Sequence, residues 1–219
     1  MPSVKDLLAF VPLYIASQRV LGADRLRYRC LDLLAVQPGE CVLDIGCGPA
    51  YYYDRLPQGV RYFGFDTSAR YIEYARDRYG SRGATFENEI FDDRHVAQLP
   101  PINAVMLLGL LHHLTDDQCR ELLGLAGRAI APGGRLISLD LCRVPGQDRI
   151  SQWFNDHDRG KYVRPPEEYL EVAGDAFEEV DAKAFLDVAP VPLTSWVMLM
   201  RSPVTAGAGP HLAAAETSG

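Results

Sequence analysis

Glu40-Cys41-Val42-Leu43-Asp44-Ile45 runs directly into Gly46-Cys47-Gly48-Pro49-Ala50, and this join of an apolar run to a glycine turn decides the fold. The almost fully apolar run predicts a short strand buried on both faces. Glycine after such a strand lets the backbone pass close to a ligand, at the crevice where doubly wound sheets bind nucleotides. Asp66 ends a second apolar run, Arg61 to Phe65, about 20 residues beyond the first glycine. A carboxylate there can accept two hydrogen bonds from a ribose diol, or it can cap the helix that follows.

On both sides of this turn the pattern alternates. Val4, Leu7, Leu8, Val11 and Ile15 repeat at helical spacing, as do Leu26, Cys30, Leu33 and Leu34. They predict helices within residues 1–36 that pack on or cover the site, stopped by Pro38-Gly39. A helix start is expected at Pro49-Ala50-Tyr51-Tyr52-Tyr53, a helix near Ser68 to Tyr79, and strands at Ala84 to Phe86 and Ala104 to Leu108. Thr115-Asp116-Asp117-Gln118 has the form of a capping box and opens a helix running to Ala131. Its apolar face is Cys119, Leu122, Leu123, Ala126 and Ile130; Pro132-Gly133-Gly134 ends it, and Arg135 to Leu141 is a fifth strand. Such alternation implies an α/β fold with parallel strands and helical crossovers on both faces. Residues 144–174 read as irregular, while Phe177 to Phe185 and Thr194 to Met200 read as two antiparallel strands. The main domain is thus 37–201, and the Ala, Gly, Pro, Ser and Thr of 202–219 predict a disordered tail.

The composition suits a single soluble domain: 219 residues, 47% hydrophobic and 23% charged. A net charge of −7 provides no electrostatic footprint for nucleic acid or an anionic membrane, so neither is expected as a partner. The five cysteines are scattered without a Cys-x-x-Cys pair, so no metal is expected and a reduced, cytoplasmic setting is. The apolar run Leu7 to Ala16 is too short for a membrane span and lacks a cleavage site after it.

Two ligand classes suit the glycine turn, dinucleotides and S-adenosylmethionine. The dinucleotide fingerprint calls for glycine at its sixth position, where this chain has Tyr51. None of the three lysines, Lys5, Lys161 and Lys183, has a tyrosine four positions earlier, so the common Tyr-x-x-x-Lys dehydrogenase pair is missing. Asp44 would repel a phosphate but could help hold the ammonium of a methionyl group. These features favour the sulfonium cofactor.

With Val42-Leu43-Asp44-Ile45-Gly46-Cys47-Gly48, Asp66, Leu108-Gly109-Leu110-Leu111-His112-His113 and Pro132-Gly133-Gly134-Arg135-Leu136 in place, residues 25–201 resemble the class I S-adenosylmethionine-dependent methyltransferases. The resemblance implies a Rossmann-like seven-stranded sheet of order 3-2-1-4-5-7-6 with one antiparallel strand. It also implies a cofactor site of Asp44, Gly46, Cys47, Gly48, Asp66, Thr67, Glu89, Ile90, Leu108 and Gly109, with S-adenosylhomocysteine as product. Asn88-Glu89 replaces the Gly-Asp pair usual beside the adenine, and Ala50 the loop's last glycine.

Methyl transfer from a sulfonium needs an aligned acceptor and, for an oxygen or nitrogen nucleophile, a base. His112 and His113 after the fourth strand and Asp140 at the end of the fifth are the candidates, and the sequence does not choose between the histidines. The stretch Trp153 to Arg164 mixes rings with polar groups, so Trp153, Tyr162, Arg164 and Tyr51 are candidates for holding a small-molecule acceptor. A solvated loop would look the same. The expected activity is methylation of a small-molecule hydroxyl or amine. The alternative is a protein that binds the cofactor without methylating, as an accessory subunit or a cyclase.

Overall fold

Every residue of Cys41–Ile45, β1, is buried, with Cys41, Leu43 and Ile45 on one face of the sheet and Val42 and Asp44 on the other. The computed structural model describes residues 11–20, 23–157, 160–186 and 193–204. The expectations for Val4, Leu7 and Leu8, for Asp158 and Arg159, and for the tail from residue 205 lie outside the described residues, whereas Ser202 and Pro203, expected in the tail, end the last strand of the sheet.

Around β1 the chain builds β2 (Arg61–Phe65), β3 (Ala84–Glu87), β4 (Ile102–Leu108), β5 (Ile130–Leu141), β6 (Phe177–Phe185) and β7 (Ser195–Pro203). They form a single sheet in the order β3-β2-β1-β4-β5-β7-β6, as the resemblance implied. β7 runs antiparallel to both of its neighbours, and the remaining pairs are parallel.

Two apolar layers sandwich the sheet. On one side α1 (Val11–Val20), α2 (Ala23–Leu34) and α3 (Ala69–Tyr79) pack through Leu26, Cys30, Leu34, Ile72 and Ala75 onto Val42, Tyr62, Ile137 and Leu199. On the other lies α5 (Asp116–Ala129), preceded by the short α4 (Asp93–Gln98), and its face carries Cys119, Leu122, Leu123 and Ala126 as predicted, while Ile130 falls in β5. The Thr115–Gln118 capping box is present in both directions. Arg135 ties α2 to the sheet: its guanidinium donates to Leu34 O and Ala35 O at the helix end and to Glu40. This hydrogen-bonded partner pulls the Glu40 carboxyl below its ordinary pKa. No helix among the described residues is long and apolar enough to cross a membrane.

Three local expectations need correction. Tyr51–Arg55 is a 3-10 turn, because Ala50 takes a left-handed φ of 52° and the bulky tyrosines pack in different directions. β5 begins at Ile130, which pairs with Ile102 before a register shift brings Arg135 opposite Ala104. Pro132-Gly133-Gly134 is therefore a bulge inside the strand, and a Cβ on Gly134 would sit 2.7 Å from the Ile130 side chain. Residues 144–174 contain α6 (Arg149–His157) and α7 (Pro166–Gly174), whose polar faces hid their periodicity.

Candidate functional site

The glycine turn after β1 is stitched to the end of β2, with Gly46 N–H and Cys47 N–H both donating to Phe65 O at 2.8 and 3.0 Å. Gly46 and Gly48 have φ of 75° and 54°. A Cβ on Gly46 would press on Leu110 at 3.2 Å, whereas one on Gly48 would meet nothing within 4 Å. The first glycine therefore admits the loop after β4, and the second leaves open space above the turn.

Asp66 closes this cradle. Its Oδ2 accepts from Gly48 N–H at 2.8 Å and its Oδ1 from Ser68 N–H at 2.7 Å. The carboxylate thus orders the turn that leads into α3, and each of its oxygens retains a second lone pair that a diol could use. Thr67 is exposed beside it. Asn88 donates to Asp66 O at 2.9 Å, and Ile90, 73% exposed, offers an apolar surface after β3. Glu89 is exposed, and its carboxylate is drawn to Arg94 at 3.4 Å and His95 at 3.5 Å on α4. The open cradle, the diol-competent carboxylate and the apolar surface beyond it fit a nucleoside.

Asp44 lies beneath the turn, buried, and accepts from Tyr62 O–H at 2.5 Å. Burial pushes its pKa up to about 7; the charge of Asp66 adds to that, and the Tyr62 hydrogen bond opposes it. Burial also raises the Cys47 thiol well above its ordinary value, keeping it an inert thiol.

Beyond β4, Leu108 is half-buried and Gly109, at φ 85°, donates its N–H to Leu139 O at 2.7 Å. Leu111–His113 then turns once and brings His112 onto Asp140. Asp140 Oδ1 accepts from His112 N–H at 3.1 Å and contacts His112 Nδ1 at 2.7 Å. Both residues are buried, and Asp140 Oδ2 has no partner among the described residues. The carboxylate fixes Nδ1 as the protonated nitrogen, so the lone pair belongs to Nε2. His113 is exposed, its ring 4.2 Å from that of His112.

The expected acceptor residues do not form one wall. Arg164 is 3% exposed and commits all five N–H bonds: Nε and Nη2 to Asp116, Nη1 to Leu111 O and Tyr162 O, Nη2 also to Leu114 O. It braces the turn that carries His112, and this corrects its reading as an acceptor ligand. Tyr162 is 40% exposed and hydrogen bonds through its N–H to His112 O at 3.0 Å, which sets it beside the histidine. Trp153 is 53% exposed and stacks on His157 within α6. Tyr51 is buried, and its hydroxyl donates to Asp24 of α2 at 2.8 Å and contacts that of Tyr52. Tyr53 turns toward Tyr62 and Tyr79.

Two residues were missed from the sequence, Tyr62 and Arg27. Tyr62 reaches Asp44 only because parallel register sets β2 beside β1. Arg27 comes from α2: its Nη1 donates to Gln18 at 2.6 Å, and its Nη2 lies 3.7 Å from where a Cβ of Gly109 would stand. Two cavities, of about 220 and 480 Å³, flank the 3-10 turn on the Arg82 and Tyr74 sides, and neither is lined by Gly46, Asp66, His112 or Asp140.

Residues 42–134 match a family model described as a methyltransferase domain. The 27-O-demethylrifamycin SV methyltransferase of Amycolatopsis mediterranei is 30% identical over 55% of this chain and 46% of its own length. The ubiquinone biosynthesis O-methyltransferase of Thiobacillus denitrificans is 26% identical over 65% of this chain and 66% of its own. Among solved structures, human N-acetylserotonin methyltransferase in complex with S-adenosylmethionine superposes with a TM-score of 0.67 at 19% identity, covering 92% of this chain and 57% of that one. The chain spans 41–66% of the length of the first curated relatives it matches.

Proposed function

We propose that this chain, which carries a class I S-adenosylmethionine-dependent methyltransferase domain, methylates a hydroxyl of a small molecule with His112 as its base. The His112–Asp140 pair, 2.7 Å apart at the edge of the crevice, carries this reading. The cofactor supplies an electrophilic methyl group on sulfur. Gly48 and Asp66 hold the nucleoside end, and Asp44 beneath the turn serves the methionyl ammonium. His112 Nε2 would take the acceptor's proton as that oxygen accepts the methyl group the cofactor would supply. Asp140 holds the imidazole in the tautomer this requires and stabilises the imidazolium that results. The names of the rifamycin and ubiquinone relatives support an oxygen acceptor on a small molecule, while a phosphoethanolamine N-methyltransferase relative keeps an amine as the second reading.

Positioned bases contribute about 10²–10⁴-fold to rate. His112→Gln and Asp140→Asn should each lower kcat by about 10²-fold or more with S-adenosylhomocysteine affinity unchanged. Asp66→Ala should instead weaken that affinity, read by calorimetry. Full turnover in both the His112 and Asp140 variants would remove the base assignment. Retained cofactor without S-adenosylhomocysteine formation from any acceptor would favour the non-methylating alternative.

A further inference from the structure

Resting on the reading of His112 and Asp140 just given, we infer that the C-terminal end of β5 holds one ordered water, and that Trp196 acts through it as a positioning residue for Asp140. Asp140 gives its Oδ1 to His112, while its Oδ2 has no partner among the described residues. The same is true of the buried atoms Ser138 Oγ, Asn155 Oδ1 and Trp196 Nε1. All four belong to the end of β5 and its immediate neighbours. Trp196 on β7 stands opposite Asp140 in the antiparallel register. Ser138, Asp140 and Trp196 share one face of the sheet by alternation: Leu136, Cys142 and Met198 lie in the apolar layer of α5, and Ile137, Leu139 and Val197 in the other. Side chains directly opposite on antiparallel strands start roughly 5 Å apart, and diagonal neighbours such as Ser138 and Trp196 roughly 7–8 Å. Asn155 of α6 is anchored over the same strand end, where its Nδ2 donates to Cys142 O at 2.9 Å.

Protein donors near the carboxylate do not serve it. The charge of Asp140 bears on Tyr169 and Cys119, in each case adding to a rise in pKa caused mainly by burial, so both keep their protons. Yet the Tyr169 hydroxyl donates to Leu141 O at 2.9 Å, and the Cys119 thiol to Leu111 O at 3.5 Å. A buried polar atom without a partner is costly, a carboxylate oxygen most of all, so the corner calls for a ligand. The four atoms define its chemistry: two acceptors, one N–H donor and one hydroxyl that can do either. The indole N–H would turn its proton toward a cation, and the carboxylate would repel an anion. One water matches the set. Its protons serve Asp140 Oδ2 and Asn155 Oδ1, and its oxygen accepts from Trp196 and Ser138, within the two to four partners typical of about every buried water. The consequence falls on the base. A carboxylate held at both oxygens cannot rotate away from His112 Nδ1, so the lone pair stays on Nε2. Trp196 thus bears on the base without touching acceptor or cofactor.

The test is proton–nitrogen NMR of the full chain saturated with S-adenosylhomocysteine. Trp153 and Trp196 are its two tryptophans, so Trp153→Phe assigns both indole signals. The Trp196 indole proton should show cross-relaxation to a long-lived water, and its signal should shift in Asp140→Asn. The low-field Nδ1–H signal of His112, identified by its loss in His112→Gln, should broaden or vanish in Trp196→Phe, which keeps a ring and lacks the N–H. S-adenosylhomocysteine affinity should be unchanged in that variant, which a general loosening of the fold would not allow. Ser138→Ala is a smaller change that should move the same indole signal, and it carries the test if Trp196→Phe does not fold. The inference is overturned if the Trp196 indole shows no water contact, or does not respond to Asp140→Asn. It is also overturned if the His112 signal is the same in Trp196→Phe as in wild type. A wild type without any low-field His112 signal would instead bring down the base reading beneath it.

Discussion

Replacing Asp44 with asparagine should remove a pH dependence from the stability of the cofactor-free protein. Asp44 is buried against Tyr62, and its carboxyl is raised from 3.8 to about 7. Between those values the native chain keeps a proton that the unfolded chain has released. The stability this provides is full below the unfolded pKa and is lost as pH rises through the folded one. Each unit is worth about 1.4 kcal/mol, so the loss from the unfolded value to the folded one is about 4 kcal/mol. The amide of the Asp44→Asn variant offers an oxygen to the same Tyr62 hydroxyl and does not titrate. Urea unfolding of both proteins from about pH 5 to about pH 8 isolates the effect, since every other titrating group cancels in the difference. The wild type should lose stability relative to Asp44→Asn across that range and then run parallel to it. If Asp44 receives the methionyl ammonium, cofactor binding near pH 6 should also release a proton, seen as a buffer-dependent calorimetric enthalpy. Parallel stability curves throughout, with no proton released, would refute the account of Asp44.

Arg164→Ala should cost about 3–5 kcal/mol in denaturant unfolding, because it strips a buried guanidinium from Asp116 and three carbonyls at once. Gly64→Ala should destabilise by about 1–3 kcal/mol, read as a lowered Tm, because the new Cβ would stand 2.8 Å from Phe86 and 3.0 Å from Cys47 Sγ and Tyr62. An unchanged midpoint for either variant would show that its surroundings yield more readily than their packing implies.

The parts of the fold that were legible are those whose signal is local. β1 declares itself by an apolar run ending in glycine, and α5 by a capping box with an apolar face, and both are present. Asp66 was legible for the same reason, since strand end and turn fix its place. What stayed hidden depends on chain segments far apart. Arg164 looked like a ligand because nothing near it in sequence reveals that it reaches Asp116, Leu111 and Leu114. That His112 rather than His113 meets Asp140 follows from the β4–β5 register, which sets the turn after β4 against Asp140. Arg27 is invisible until α2 folds back over the sheet. The bulge in β5 was misread because Pro and Gly stop helices and interrupt strands with the same residues.

The clamp made by Arg164 also makes the base-bearing turn and the 144–174 insert one mechanical unit. Its segment is joined to the base-bearing turn by the Tyr162 bond to His112 O, and to β5 by Arg143 N–H donating to Arg164 O. Swinging the 144–174 insert outward would break these bonds and strip the turn that carries His112 of its support. Loosening the insert at Arg164 would therefore loosen the His112–Asp140 contact without altering either residue.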